Sequence, residues 1–406
     1  MTITEGEDIQ FKGTAKVAFS DGSEKDNAKV SWYDETGTPV VSTGALTEGT
    51  HELTGRISYF NNPIIAQRAD PYVIYNEDDG YYYFTSSWPA YKDAEHGYDR
   101  IVLRKSRTLE GLADAEDQVI WNAHDSGEQS HHIWAPELHK IGDNWYVYYA
   151  ANSDNDIWSI RPWVLECTDA SRLTDPEAWT EKGRFVNKDG NYRGSFDAFS
   201  LDMTTFEHNG KQYVIWAYKT NASMLLLAEI DPEKPWQLTS DPILLSKPEY
   251  DWEKVNEIVN EGPAVLKHEG RIYVAYSASA TGPEYCVGLL SADDGSDLMD
   301  ISSWTKSDTP VLQTSDFTDQ YGPGHNSFTV DENGNTMIVY HSRDQKCYDD
   351  ECEWADCNPL YDPCRNANLA YVRFADDGTP VFNSTPEKET SGLDIKLTIT
   401  VNPTGG

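Results

Sequence analysis

The sequence predicts an all-β chain: a five-bladed β-propeller preceded by a small accessory β-sandwich-like domain. Three observations carry this reading. A hairpin motif, in which a short apolar strand turns at glycine or Gly-like residues into a second alternating strand, occurs five times. The first residues of the five second strands, Tyr81, Trp145, Tyr213, Tyr273 and Met337, are separated by 64, 68, 60 and 64 residues. Helical periodicity is missing throughout, and a fixed period of this size without it means stacked or radial β units.

Residues 1–57 differ in texture from the remainder of the chain. Short alternating stretches such as Ala15-Lys16-Val17-Ala18-Phe19 and Ala28-Lys29-Val30-Ser31-Trp32-Tyr33 are divided by closely spaced Asp-Gly and Thr-Gly turns, the pattern of a small β-sandwich. From 58 to 388 the hairpins recur. They begin at Asp70-Pro71-Tyr72-Val73, Trp134-Ala135-Pro136-Glu137, Asp202-Met203-Thr204-Thr205, Asn260-Glu261-Gly262-Pro263 and His325-Asn326-Ser327-Phe328. A third strand follows each, as in Arg100–Arg104 and Met224–Ala228, and then a tryptophan-bearing edge at Trp121, Trp179, Trp236 and Trp304. Four strands per unit and five units make a propeller whose first strands line the axis. Residues 389–406 hold one more period-2 strand, Leu393–Val401, outside the repeats; it is expected to pack with the N-terminal domain.

The 406 residues carry 32 basic and 68 acidic side chains, a net charge of −36. Phosphates would be repelled, so nucleic acid and anionic membranes are excluded as partners, and a neutral substrate is favoured. No apolar run is long enough to span a bilayer. Met1-Thr2-Ile3-Thr4 has neither a basic nor an apolar signal region, so any secretion signal is absent from this sequence. Cys347, Cys352, Cys357 and Cys364 fall close together among acidic residues without the paired spacing of a zinc site, which predicts disulfides stapling a long loop. Cys167 and Cys286 sit in apolar strand patterns and read as buried free thiols.

In a propeller the residues that start the inner strands converge at one mouth. Asp70, Asp202 and Glu261 would then share a pocket, and three carboxylates so placed must diverge in protonation. Glycoside hydrolysis needs that divergence: one carboxyl kept protonated for the leaving oxygen, another ionised to activate water. Asp197 is a rival for the place of Asp202. His325 on the axis could meet substrate, pair with a carboxylate, ligate a central ion held mainly by water, or be structural. Trp134 could stack on a sugar face or pack in the core, while Trp88 and Tyr91 lie on a loop suited to an exposed wall. Arg365 could bring a cation to the pocket or pair with a surface acid.

Arg68–Val73, His132–Glu137, Leu201–Lys211, Asn260–Val265 and Gly322–Phe328 together resemble glycoside hydrolase family 43, most closely its α-L-arabinofuranosidase branch. The resemblance covers about residues 58–385. It implies that Asp70 is the general base, Glu261 the general acid, and Asp202 the carboxylate that raises the acid's pKa and orients it. It also implies an inverting reaction, with base and acid roughly 6.5–9.5 Å apart. His325 matches the histidine beside a hydrated structural calcium ion on the axis, and Arg365 an arginine near the end of the last blade. Relatives often carry a second arginine where this chain has Asn368, and the four-cysteine loop also departs from the family pattern. The N-terminal segment resembles a bacterial immunoglobulin-like module.

The expectation is therefore an extracellular, monomeric, exo-acting α-L-arabinofuranosidase. Its partner would be the arabinan or arabinoxylan of plant cell walls, bound by Trp88, Trp134, Arg365 and His325. The alternatives are a β-xylosidase, which needs the same three carboxylates, and a non-catalytic carbohydrate-binding propeller. Linkage preference would rest on loop walls such as 85–99 and 343–365.

Overall fold

Inner strands of all five hairpins begin with the same irregularity, and that irregularity builds the site. The structure, a computed structural model, describes residues 1–18, 24–58, 60–89, 97–153, 156–348, 364–384 and 395–403. Tyr91, Cys352 and Cys357 lie outside these residues. The described chain is strand, turn and short 3-10 segments. It divides into two units, Met1–Asn62 with Ser384–Gly406, and Pro63–Asn383.

The second unit holds five consecutive antiparallel sheets. Their inner strands are Ala69–Asn76, His131–Ile141, Phe199–His208, Asn260–His268 and Gln320–Val330. These touch one another in cyclic order, the fifth meeting the first, which is the relationship that makes a propeller. The first four sheets carry four strands or more, ending at Gln118–Asn122, Trp179–Arg184 and Lys234–Leu238, each with a tryptophan, and at Thr305–Lys306, which directly follows Trp304. Apolar side chains of adjacent sheets interlock between them. One such layer packs Ile215, Leu225 and Leu227 of the third sheet against Ile272, Val274 and Leu290 of the fourth.

The fifth sheet has three strands, Gln320–Val330, Thr336–Asp344 and Asn366–Tyr371. Ile65, from the beginning of the unit, bridges Ala367 antiparallel on the last of these. Ala367 N donates to Ile65 O at 2.9 Å, and Gln67 N donates to the Asn366 side chain at 2.9 Å. The outer edge of the last sheet is thus covered by the start of the same unit, which leaves fewer unpaired backbone groups there.

Each inner strand carries a β-bulge, two residues standing opposite one. Asp70-Pro71 face Ser86, Ala135-Pro136 face Tyr149, Asp202-Met203 face Trp216, Gly262-Pro263 face Tyr276 and His325-Asn326 face Tyr340. The first residue of each pair is left-handed, with φ of 56°, 44°, 56°, 53° and 40° in that order. Its N–H leaves the ladder of its own sheet and needs a partner elsewhere. In four cases the partner lies on the preceding blade: Asp70 N to His341 Nδ1 (3.1 Å), Ala135 N to Ser87 Oγ (2.8 Å), Gly262 N to Asp202 Oδ2 (2.9 Å) and His325 N to Ser277 Oγ (2.7 Å).

The first unit contains one five-stranded sheet, ordered Thr2–Thr4, Ile395–Asn402, Gly49–Ser58, Glu24–Tyr33, Thr14–Ala18. The strand from the C-terminal end lies between two from the N-terminal end, parallel to Thr2–Thr4 and antiparallel to Gly49–Ser58. Its core is Ile3, Leu53, Ile399 and Val401, with Phe11, Trp32, Val40, Leu46 and Leu397 packed against them. A sandwich needs a second sheet, and among the described residues this unit has one. Phe11, Val40 and Leu46 come from segments outside its strands, so apolar cover reaches the sheet from loops instead.

Candidate active site

The five bulges do not present the same residue to the axis. Asp70, Asp202 and His325 are themselves the left-handed residues, whereas Trp134 and Glu261 stand one position earlier, before Ala135 and Gly262. Trp134 is still in the ladder opposite Ala150, and Glu261 opposite Ser277. The sequence frame that set the five starts equal is therefore shifted by one in two blades. Gly262 explains one shift: a Cβ there would lie 3.1 Å from Cγ of His325, so the left-handed place beside the histidine suits glycine, and the carboxylate precedes it.

A cavity of about 390 Å³ opens at this end of the inner strands. Asp70, Trp134, Asp202, Glu261, His325 and Arg365 all line it. Asp197 does not; it accepts hydrogen bonds from Gly194 N and Tyr218 Oη at 3.0 Å each, so of the two rivals it is Asp202 that stands in the cavity. Trp88 is also outside the lining, with the guanidinium groups of Arg68 and Arg100 at 4.6 and 5.1 Å from its ring centre. Two cations thus occupy the neighbourhood of its ring. The indole of Trp134 is held edge-on by Tyr98 and His132, at 5.7 and 5.0 Å.

Asp70 is surrounded by donors and cations. Its Oδ2 accepts from Ser87 Oγ at 2.6 Å; its Oδ1 lies 3.3 Å from His325 Nδ1 and 3.4 Å from the Arg365 guanidinium. Burial pushes its pKa up, but the charges of His325 and Arg365 more than offset this and hold it well below the ordinary carboxylate range. His341 Nδ1 is 3.4 Å from the same oxygen, yet it accepts from the Asp70 N–H and cannot donate there. Burial keeps this imidazole neutral, its pKa pushed down to about 3, so it positions Asp70 and adds no charge.

Asp202 and Glu261 are driven the other way. Burial raises Asp202, and the nearby charges of Glu261 and Asp70 raise it further against the pull of His325. Burial also raises Glu261, although Tyr285 Oη donates to its Oε1 at 2.8 Å. One cavity thus contains a carboxylate held ionised and a carboxyl pair that retains a proton, the division that acid–base chemistry on a neutral substrate requires. For His325 burial lowers the pKa, but Asp202, Asp70 and Glu261 together leave it raised.

Calcium takes roughly six to eight oxygen ligands. Among the described residues no three His, Cys, Asp or Glu side chains are grouped to hold a metal ion, and His325 turns Nδ1 toward Asp70. An ion here would depend on water for its shell; the chemistry of the three carboxyls is not routed through one, and His325 is read as the partner of Asp70.

Residues 60–380 match the family described as glycosyl hydrolases family 43. The chain belongs to that family. Within it, the chain is 48% identical over 315 residues to an extracellular exo-α-(1→5)-L-arabinofuranosidase of Streptomyces chartreusis, covering 75% of this chain and 90% of the relative. It is 45% identical over 328 residues to a protein of the same name from Streptomyces avermitilis, covering 80% of this chain but 63% of that longer relative. Among solved structures, an α-L-arabinofuranosidase from Lactobacillus brevis superposes with a TM-score of 0.70 at 42% identity, covering 80% of this chain and 96% of that one.

Several residues of this family 43 site carry no signal in the sequence. Ser87, Ser277, Tyr285 and His341 lie on or beside second and third strands and reach the site only through the adjacency of blades. The rim adds Trp158, half exposed, with Lys219 Nζ 4.3 Å above its ring and Glu257 3.4 Å from the same lysine. The cysteine loop is closed by a disulfide between Cys347 and Cys364, next to Arg365. Cys167 and Cys286 are free and buried.

Proposed function

We propose that this chain is an inverting, exo-acting α-L-arabinofuranosidase that removes terminal arabinofuranose from arabinan- or arabinoxylan-type saccharides outside the cell, as a monomer. The observation that carries it is the split electrostatics of the cavity, with Asp70 held ionised while Asp202 and Glu261 are pushed toward the protonated form. The names of the relatives supply the sugar and the extracellular setting. A cavity of about 390 Å³ lies at the small end of the range of roughly 300–1,000 Å³ for small-molecule sites, which suits one terminal sugar better than a long chain.

In this reading Asp70 takes the proton of a water molecule as its oxygen attacks the anomeric carbon. Glu261 gives its proton to the departing glycosidic oxygen, so the bond breaks without a charged alkoxide leaving. Asp202 and Glu261 share a buried site and one proton, which Glu261 delivers at that moment, and Arg365 and His325 keep Asp70 ionised to receive the proton of the attacking water. Trp134 offers an apolar face to the sugar ring. The five-bladed propeller positions all of these, while the unit built from both chain ends is accessory to it.

Nitrophenyl α-L-arabinofuranoside and nitrophenyl β-D-xyloside separate this reading from a β-xylosidase. Release from the arabinofuranoside alone, with the product anomer inverted by NMR, is the expected result. Preference for the xyloside would overturn the sugar assignment.

A further inference from the structure

We propose that Tyr285 is a positioning residue for proton donation, the last link of an oriented hydrogen-bond chain that fixes which oxygen of Glu261 carries the acid proton. The inference rests on the reading of Glu261 as the acid. The chain starts at His325, whose backbone N–H can only donate, and does so to Ser277 Oγ at 2.7 Å. Ser277 bears on the Tyr285 phenol with the sign of a donor, pulling its pKa down against burial, and Tyr285 Oη donates to Glu261 Oε1 at 2.8 Å. Because Ser277 Oγ is the acceptor from His325, its own proton is directed to Tyr285 Oη, and the phenol proton is directed to Glu261 Oε1. Donors aligned in this sense polarise one another.

Oε1 is thereby an acceptor, and the proton to be delivered is left to Oε2. As that proton departs, the Tyr285 hydrogen bond strengthens against the new carboxylate, so the chain favours the product side of the transfer. Burial, with the charge of Glu261, holds the phenol far above its ordinary pKa, so it remains a donor throughout the working range. The surroundings fix the ring. Tyr285 is buried, stacks on His341 at 5.6 Å with a 4° tilt, and lies where a Cβ on Gly324 would come within 2.3 Å of its Cε1. Glycine at 324 is thus part of the same device. The groups that bear on Glu261 electrostatically are Asp202, Asp70, His325 and Lys219, besides Tyr285 itself.

The test compares Tyr285→Phe with the parent enzyme on two substrates that differ in their need for an acid. The sugar leaving group of an arabino-oligosaccharide needs the proton to depart as an alcohol; the dinitrophenolate of a dinitrophenyl arabinofuranoside departs without it. The expected kcat/KM loss is about 10- to 100-fold on the oligosaccharide and under about 3-fold on the aryl substrate. The alkaline limb of the pH profile should move upward, because Glu261 loses a donor to its ionised form. Ser277→Ala, which keeps the phenol, should shift the same limb in the same direction by a smaller amount. Equal losses on both substrates, or an alkaline limb unmoved in both variants, would overturn the proposal. Glu261→Ala serves as the control for the parent reading: if it shows no leaving-group dependence, the acid assignment itself fails, whereas dependence in Glu261→Ala without it in Tyr285→Phe rejects only the role of the tyrosine.

Discussion

The backbone N–H of Gly262 donates to Oδ2 of Asp202 at 2.9 Å, so the residue that follows Glu261 is tied to the carboxylate on the neighbouring blade. This contact fixes the spacing of the two carboxyls through backbone, and it depends on a left-handed φ of 53° where a Cβ would stand only 3.1 Å from His325 Cγ. Gly262→Ala should therefore destabilise the protein by about 1–2 kcal/mol or more. Thermal melting checks the first effect. Oligosaccharide turnover should fall further than the loss of folded protein explains.

Glu261→Ala should lower turnover of an arabino-oligosaccharide by roughly 10²–10⁴-fold, the usual worth of general acid catalysis, and affect an activated aryl arabinofuranoside far less. Asp70→Ala should lose on both, since water must be activated whatever the leaving group. Steady-state kinetics on the two substrates distinguishes the roles.

Asp202→Asn should trade activity for stability. The folded pKa of Asp202 is raised above its ordinary 3.8 by burial and by Glu261 and Asp70. Below that value both folded and unfolded chains bind the proton. As pH rises the unfolded chain releases it first, so this carboxyl's contribution declines until the folded group also ionises. The asparagine escapes that decline while an amide oxygen can still accept from Gly262. Melting curves should show the variant gaining on the parent by roughly 1–3 kcal/mol between about pH 4 and pH 8, while kcat falls. No gain with pH would mean that Asp202 is not held protonated.

Asp70 has the opposite sign. Its folded pKa is depressed, so its stabilising contribution is present above the ordinary 3.8 and is lost as pH falls through the folded value. Arg365→Ala removes one of the two cations responsible. The acid limb of kcat/KM should then rise by about one pH unit or more, with the alkaline limb little changed.

The sequence made the strands legible because each hairpin alternates apolar and polar residues around a turn, and the recurrence of that pattern revealed the blades. It brought Asp70, Asp202, Glu261, His325, Trp134 and Arg365 into consideration together, and the structure places all six around one cavity. The one-residue offset of Trp134 and Glu261 was hidden because a bulge is a backbone event; X-Pro pairs at 70–71, 135–136 and 262–263 mark three of the five, but Asp202-Met203 and His325-Asn326 do not share the mark. The two arginines over Trp88 were not legible, because an aromatic on a loop looks the same in sequence whatever lies across its face. Tyr285 and Ser277 were invisible for a different reason: their importance comes from what the next blade presents to them.

The bridge between Ile65 and Ala367 also sets an order of events. The neighbouring contact joins Gln67 and Asn366, 299 positions apart, so the last sheet cannot gain this edge until nearly the whole unit has been synthesised. The earliest part of the propeller to leave the ribosome must wait for the latest. Contacts of such separation slow folding and leave strand edges open in the interval, when a second nascent chain could occupy them. Arg365 lies directly beside this closing strand, so the cation that depresses Asp70 comes into place among the last pieces, and a ring left open would be expected to lack a fully tuned base.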